Sequence, residues 1–70
     1  MWCRSQDKTT LIDSIGFVVV GSSIYGYNNQ TSFVIGKYST KEKALVVLDM
    51  IHEYIIHEYI FQMPLDSEVE

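Results

Sequence analysis

One cysteine, one proline and one tryptophan in 70 residues close off several ways of building a small protein. A lone Cys3 cannot form an intrachain disulfide, and no Cys/His cluster has the spacing of a structural zinc site. A chain this short buries only about 60% of its unfolded surface, so its core needs help. Self-association is the remaining source of burial, and a homodimer or larger homo-oligomer is expected.

Cations are also scarce. Five Lys/Arg face nine Asp/Glu, for a net charge of −4. Arg4, Lys8 and Lys37 outweigh Asp7 and Asp13 in residues 1–38, giving +1; residues 39–70 carry Lys41 and Lys43 against seven acids, giving −5. Phosphate backbones find no electrostatic footprint here, which argues against nucleic-acid binding. The longest apolar stretch, "ALVVLDMIHEYII", is broken by Asp49, His52 and Glu53 and is too short to span a bilayer. "MWCRSQDKTT" is polar after Trp2 and reads as no export signal. With a single thiol, that points to the cytoplasm. A composition of 47% apolar and 20% charged residues belongs to a globular protein.

What is present is β-branched and aromatic. "WCRSQ" and "TLID" read as short strands around a polar break at Asp7-Lys8. "IGFVVVGSSIYGYNNQTSFVIGKYS" reads as a three-strand meander. Gly21-Ser22 suits a two-residue hairpin turn, and Asn28-Asn29-Gln30-Thr31 a longer loop. These turns set Val19 beside Ile24 and Ile35, and Phe17 beside Gly26 and Phe33, whose rings would cover the bare glycine. One face then carries Phe17, Val19, Ile24, Phe33 and Ile35.

Ser39 and Glu42 fit a capping box that opens a helix over about 40–57. At about 100° per residue, Ala44, Val47, Leu48, Ile51, Tyr54 and Ile55 gather into a single stripe suited to packing on a sheet. Further regular turns would place Glu58 inside that stripe, where an unpaired carboxylate is costly. The helix should therefore stop near His57, with "YIFQM" as a final strand ending at Pro64. Residues 1–64 form the expected domain, and the acidic residues 65–70 an expected mobile tail.

The doubled "IHEYIIHEYI" invites a metal reading, but a zincin needs histidines at i and i+4. His52 and His57 are five apart, about 140° around a helix or on opposite faces of a strand. Asp49, Glu53 and His57 step by four and are weak metal candidates, against the plainer reading of a solvated polar face. No glycine-rich phosphate loop is present. A chain this size is not expected to enclose a pocket of several hundred Å³, roughly the size of ligand sites, and Cys3 reads as an apolar filler. Neither an enzyme nor a cofactor is expected.

The second face of the meander carries Val18, Tyr25, Tyr27, Val34 and Tyr38. A wetted sheet face should be polar, whereas tyrosine is enriched at interfaces. This face needs a cover: a second subunit, a partner protein, or the chain's own first and last strands. Val46 and Met50 form a secondary patch on the helix. Trp2 could anchor an interface or plug the sheet edge, and Trp2 and Arg4 are possible ligand contacts.

"MWCRSQ" at the start, "GKYSTKEKALVVLDMI" in the middle and "IFQMP" before an acidic tail together resemble a family of short, uncharacterised proteins of Gram-positive bacteria and their phages. The resemblance spans nearly the whole chain. It implies a small α+β unit whose opening and closing segments pair in the sheet, and it implies no catalytic residues.

The expectation is thus a non-enzymatic α+β domain: an antiparallel sheet of four to six strands with one helix on one face and a short C-terminal strand. It would bind protein, itself or a host factor, and so modulate a host process or host defence. The alternative is an oligomeric sponge that traps a small molecule, such as a signalling nucleotide, between subunits through Tyr25, Tyr27 and Arg4.

Overall fold

The computed structural model describes residues 1–57 and 59–69. It is an α+β fold with one helix and two three-stranded sheets, rather than one continuous sheet. β1 (Trp2–Arg4) pairs antiparallel with β2 (Leu11–Asp13), and β6 (Phe61–Gln62) lies on the other edge of β1. The β1–β6 pairing is parallel, Cys3 opposite Phe61, so the sheet is not purely antiparallel. The second sheet is the meander β3 (Gly16–Val20), β4 (Ser23–Tyr27) and β5 (Ser32–Lys37). The helix, α1 (Lys41–Tyr54), packs against β3 and β4. Among the described residues, no helix is long and apolar enough to cross a membrane.

The first hairpin follows the turn chemistry. Gly21 takes a φ of +62°, and Val19 faces Ile24 while Phe17 faces Gly26. The second hairpin starts in the expected register, Gly26 opposite Phe33 and Tyr25 opposite Val34, but then shifts: Ile24 faces Gly36, not Ile35. Ile35 is the extra residue of a β-bulge. Its carbonyl oxygen accepts the Gln6 backbone N–H at 2.7 Å, joining the two sheets.

A bulge reverses which side the following residues face. Val34 is exposed, Ile35 and Gly36 are both buried, and Tyr38 turns into the core at 6% exposure. Tyr38 therefore does not belong to the outer Tyr/Val face. Gly36 makes room for it, because a Cβ there would lie 2.9 Å from the Tyr38 ring and 3.1 Å from the Met63 methyl. Glycine cover also differs from expectation. Ser14 and Ile35 crowd Gly26, while the Tyr27 ring lies across Gly16, its cross-strand neighbour. Phe17 packs on the core, but Phe33 stays 44% exposed.

The helix is shorter than the sequence suggests, and its cap is one residue later. Thr40 is the N-cap, its Oγ1 accepting the Lys43 N–H at 3.1 Å. The Ser39 N–H donates instead to Asp66 Oδ1 at 2.8 Å. Ala44, Val47 and Ile51 are buried, with Tyr54 packed against them. The last turn ends at Tyr54, so Ile55 leaves the stripe and stands 62% exposed. Glu58, whose burial argued for an early stop, lies outside the described residues.

The acidic tail is docked as far as it is described. Residues Asp66–Glu68 form a 3₁₀ turn, Lys43 Nζ approaches Asp66 Oδ2 at 3.5 Å, and Val69 is buried in the core. Cys3, Ile12, Ile24, Ile35, Val47 and Met63 fill the centre between both sheets and the helix.

Candidate functional site

The meander's two faces have different fates. One meets α1. The other presents Val18, Tyr25 and Val34 as a row across the three strands, with Tyr27 and Val20 beside them. The first and last strands of the chain do not cover this face: they form the separate β2–β1–β6 sheet, whose Cys3, Ile12 and Phe61 point into the common core. Val18, Val20, Tyr27 and Val34 remain exposed and Tyr25 half-buried. Val20 joins the face through the same alternation that places Val18 there, and the period-2 pattern of "FVVV" carries that signal.

A second apolar surface was not legible as a unit. The C-terminal half of α1, the start of β1 and the β2–β3 junction bound a cleft of about 980 Å³. Apolar walls come from Trp2, Ile15, Phe17, Leu48, Ile55 and Tyr59, and polar groups from Asp13, Ser14, Asp49, His52 and His57. The cleft opens to solvent instead of enclosing its contents, which is how so small a chain carries it. The end of the first "IHEYI" gives this lining Ile55, and the second copy gives it His57 and Tyr59. Once the helix stops at Tyr54, that copy has no stripe to join, and Ile55, Ile56, Tyr59 and Ile60 stay exposed. The doubled repeat was the available signal, since its second copy could not be buried as its first is.

Trp2 is half exposed on the outer side of β1 and forms part of the cleft wall. Arg4 lies elsewhere. Its Nε donates to the Lys8 carbonyl at 3.1 Å, and it borders a smaller groove of about 450 Å³ with Lys8, Thr9, Thr10 and Gln62. Neither Tyr25 nor Tyr27 lines that groove, so the ligand set of Tyr25, Tyr27 and Arg4 does not converge within one chain. Val46 and Met50 are exposed on α1, as expected, with Leu45 also exposed.

Asp49, Glu53 and His57 do not assemble a metal site. Among the described residues, no group of three or more His, Cys, Asp or Glu side chains could hold an ion. Because the helix has ended, the step from Glu53 to His57 is not helical; His57 packs against the Tyr54 ring, centroids 5.0 Å apart. Burial pushes the Cys3 thiol up to about 11, so it is protonated at neutral pH and poorly suited to nucleophilic attack.

Compared with protein-family models, curated proteins and solved structures, the chain matches none of them.

Proposed function

We propose that this chain is a non-enzymatic protein-interaction module whose contact surface is the outer face of the β3–β4–β5 meander. The observation that carries this reading is the uncovered row of Val18, Tyr25 and Val34, on the side opposite α1. Apolar surface of this kind, bearing tyrosines that combine contact area with a hydrogen-bonding tip, is characteristic of interfaces. A second copy of the chain is its first partner, since a small core gains most from further burial. The resemblance to short phage and bacterial proteins adds a host protein as the further target, bound to modulate a host factor or defence.

The sponge reading requires a second subunit to bring Arg4 to the tyrosines. Light scattering over a dilution series tests self-association, and Tyr25→Ala should shift it towards monomer. A chain that stays monomeric at micromolar concentration, and recovers the same host proteins with and without Tyr25→Ala, would remove this face from consideration. A nucleotide-induced rise in melting temperature would favour the sponge.

A further inference from the structure

The geometry points to a second recognition site: the cleft beside Trp2 seats a basic amphipathic segment of another protein, its apolar anchor against Trp2, Ile15 and Leu48 and its Lys or Arg over Asp49. This site is independent of the meander's outer face.

Charge decides the class of occupant. No Lys or Arg lines the cleft, and none occurs in the chain after Lys43. Its charged borders are Asp13, Asp49 and the Met1 ammonium, with Glu53 one helical turn beyond Asp49. Asp13 is engaged by the Met1 ammonium at 3.0 Å. Asp49 makes no hydrogen bond or ion pair among the described residues, so a cation can meet it without breaking a native contact. A second copy would bring the same acidic border to the contact, and like charges juxtaposed oppose association. An anionic ligand meets the same objection.

Shape decides between a segment and a small molecule. The apolar rim continues from Ile55 into Ile56, 62% and 83% exposed, and a compact ligand would leave this edge wet. An amphipathic helix laid in a groove covers such a strip with anchors three or four residues apart. The floor holds one unused polar group: Ser14 is 2% exposed, and its Oγ has no hydrogen-bond partner among the described residues. That oxygen is packed against Gly26 and closed to an occupant, so the apolar walls and Asp49 carry the recognition.

Trp2 is the sole tryptophan, so its emission reports occupancy of the cleft directly. The probes are a short Leu/Lys amphipathic peptide without tryptophan and a Leu/Glu peptide with the same apolar face. The Lys peptide should produce a saturable change in Trp2 emission, and the Glu peptide none. Asp49→Lys should weaken the Lys peptide about tenfold, and Ile15→Ser should also weaken it. Glu42→Lys, the same charge change at the far end of α1, and Tyr25→Ala should leave binding unchanged. Equal binding of both peptides, an equal loss with Asp49→Lys and Glu42→Lys, or no saturable change would overturn the site. So would sedimentation showing that a second copy already covers Trp2.

Discussion

Gln6 clasps Lys37 as a neighbouring strand would. Its side-chain carboxamide accepts the Lys37 backbone N–H and donates to the Lys37 carbonyl, both at 3.0 Å. Beside this pair, the Gln6 backbone N–H reaches the bulged Ile35. One residue between β1 and β2 thus completes the ladder of β5, in the other sheet. Gln6→Ala should lower stability by about 1–3 kcal/mol, the net worth of two such bonds, as a lower urea midpoint with unchanged slope. Gln6→Glu should not restore it, because a carboxylate cannot donate to the Lys37 carbonyl. A wild-type midpoint in Gln6→Ala would make the clasp incidental.

Gly36 is the tightest point of the bulge. A methyl group there meets the Tyr38 ring and the Met63 methyl at about van der Waals overlap, 2.9 and 3.1 Å, so Gly36→Ala should cost about 1–3 kcal/mol by overpacking. Gly21→Ala meets no atoms but sits at φ +62°, and backbone strain should cost it about 1–2 kcal/mol. Thermal melts separate the causes: Met63→Ala should partly rescue Gly36→Ala and do nothing for Gly21→Ala.

Tyr38 makes the fold sensitive to alkali. Its hydroxyl donates to the Pro64 carbonyl at 2.8 Å, and burial, with Cys3, Asp66 and Glu68 nearby, pushes the phenol well above its usual range. The unfolded phenol ionises near pH 10. Its stabilising contribution is therefore complete below about pH 10 and is lost as pH rises further, while the native phenol keeps its proton. Tyr38→Phe should lose about 1 kcal/mol at neutral pH for the missing hydrogen bond. The variant should then show a flatter decline above pH 10 in urea melts.

Asp7 gives the opposite sign at the acid end. The hydroxyls of Ser5 and Thr9, both at 2.7 Å, and the Thr9 N–H at 3.0 Å hold its carboxyl down to about 2. Its contribution is present above the ordinary carboxyl value near 4 and is lost as pH falls through about 2. Carboxyl chemical shifts should show Asp7 titrating at about 2, and Asp7→Asn should remove that part of the acid response. Titration near 4 would mean that the turn does not form around it.

The hairpin at Gly21 was legible because turn type and face alternation are both local signals, and the two agreed. The helix stripe followed from its period. The bulge at Ile35 was not legible: the carbonyl it presents is met by Gln6, 29 residues earlier, and the inward turn of Tyr38 follows from the shifted register. Ser39 and Thr40 offered two adjacent caps, and Asp66 takes the Ser39 N–H, leaving Thr40 to serve the helix. The end motifs "RSQ" and "FQMP" were visible as sequence, but their roles are tertiary. Gln62 Nε2 donates to the Ser5 and Met63 carbonyls at 2.9 and 3.0 Å, just as Gln6 serves Lys37. Of the candidate surfaces, the Tyr/Val face could be read from alternation. The cleft depends on where the helix stops, and composition does not fix that.

The C-terminal segment gives the sharpest contrast between appearance and weight. In sequence, Val69 sits between two glutamates in an acidic tail, while Ile56 belongs to an apolar run. In the fold, Val69 is buried and Ile56 is 83% exposed. Val69→Ala removes two buried methylene equivalents and should cost about 2 kcal/mol, whereas Ile56→Ala should stay within about 0.5 kcal/mol of wild type. Val69→Ala should also loosen Asp66 from Ser39, seen as faster amide exchange at Ser39, since that bond holds only while the 3₁₀ turn is seated. If Val69→Ala melted as wild type does, the tail would not be part of the core.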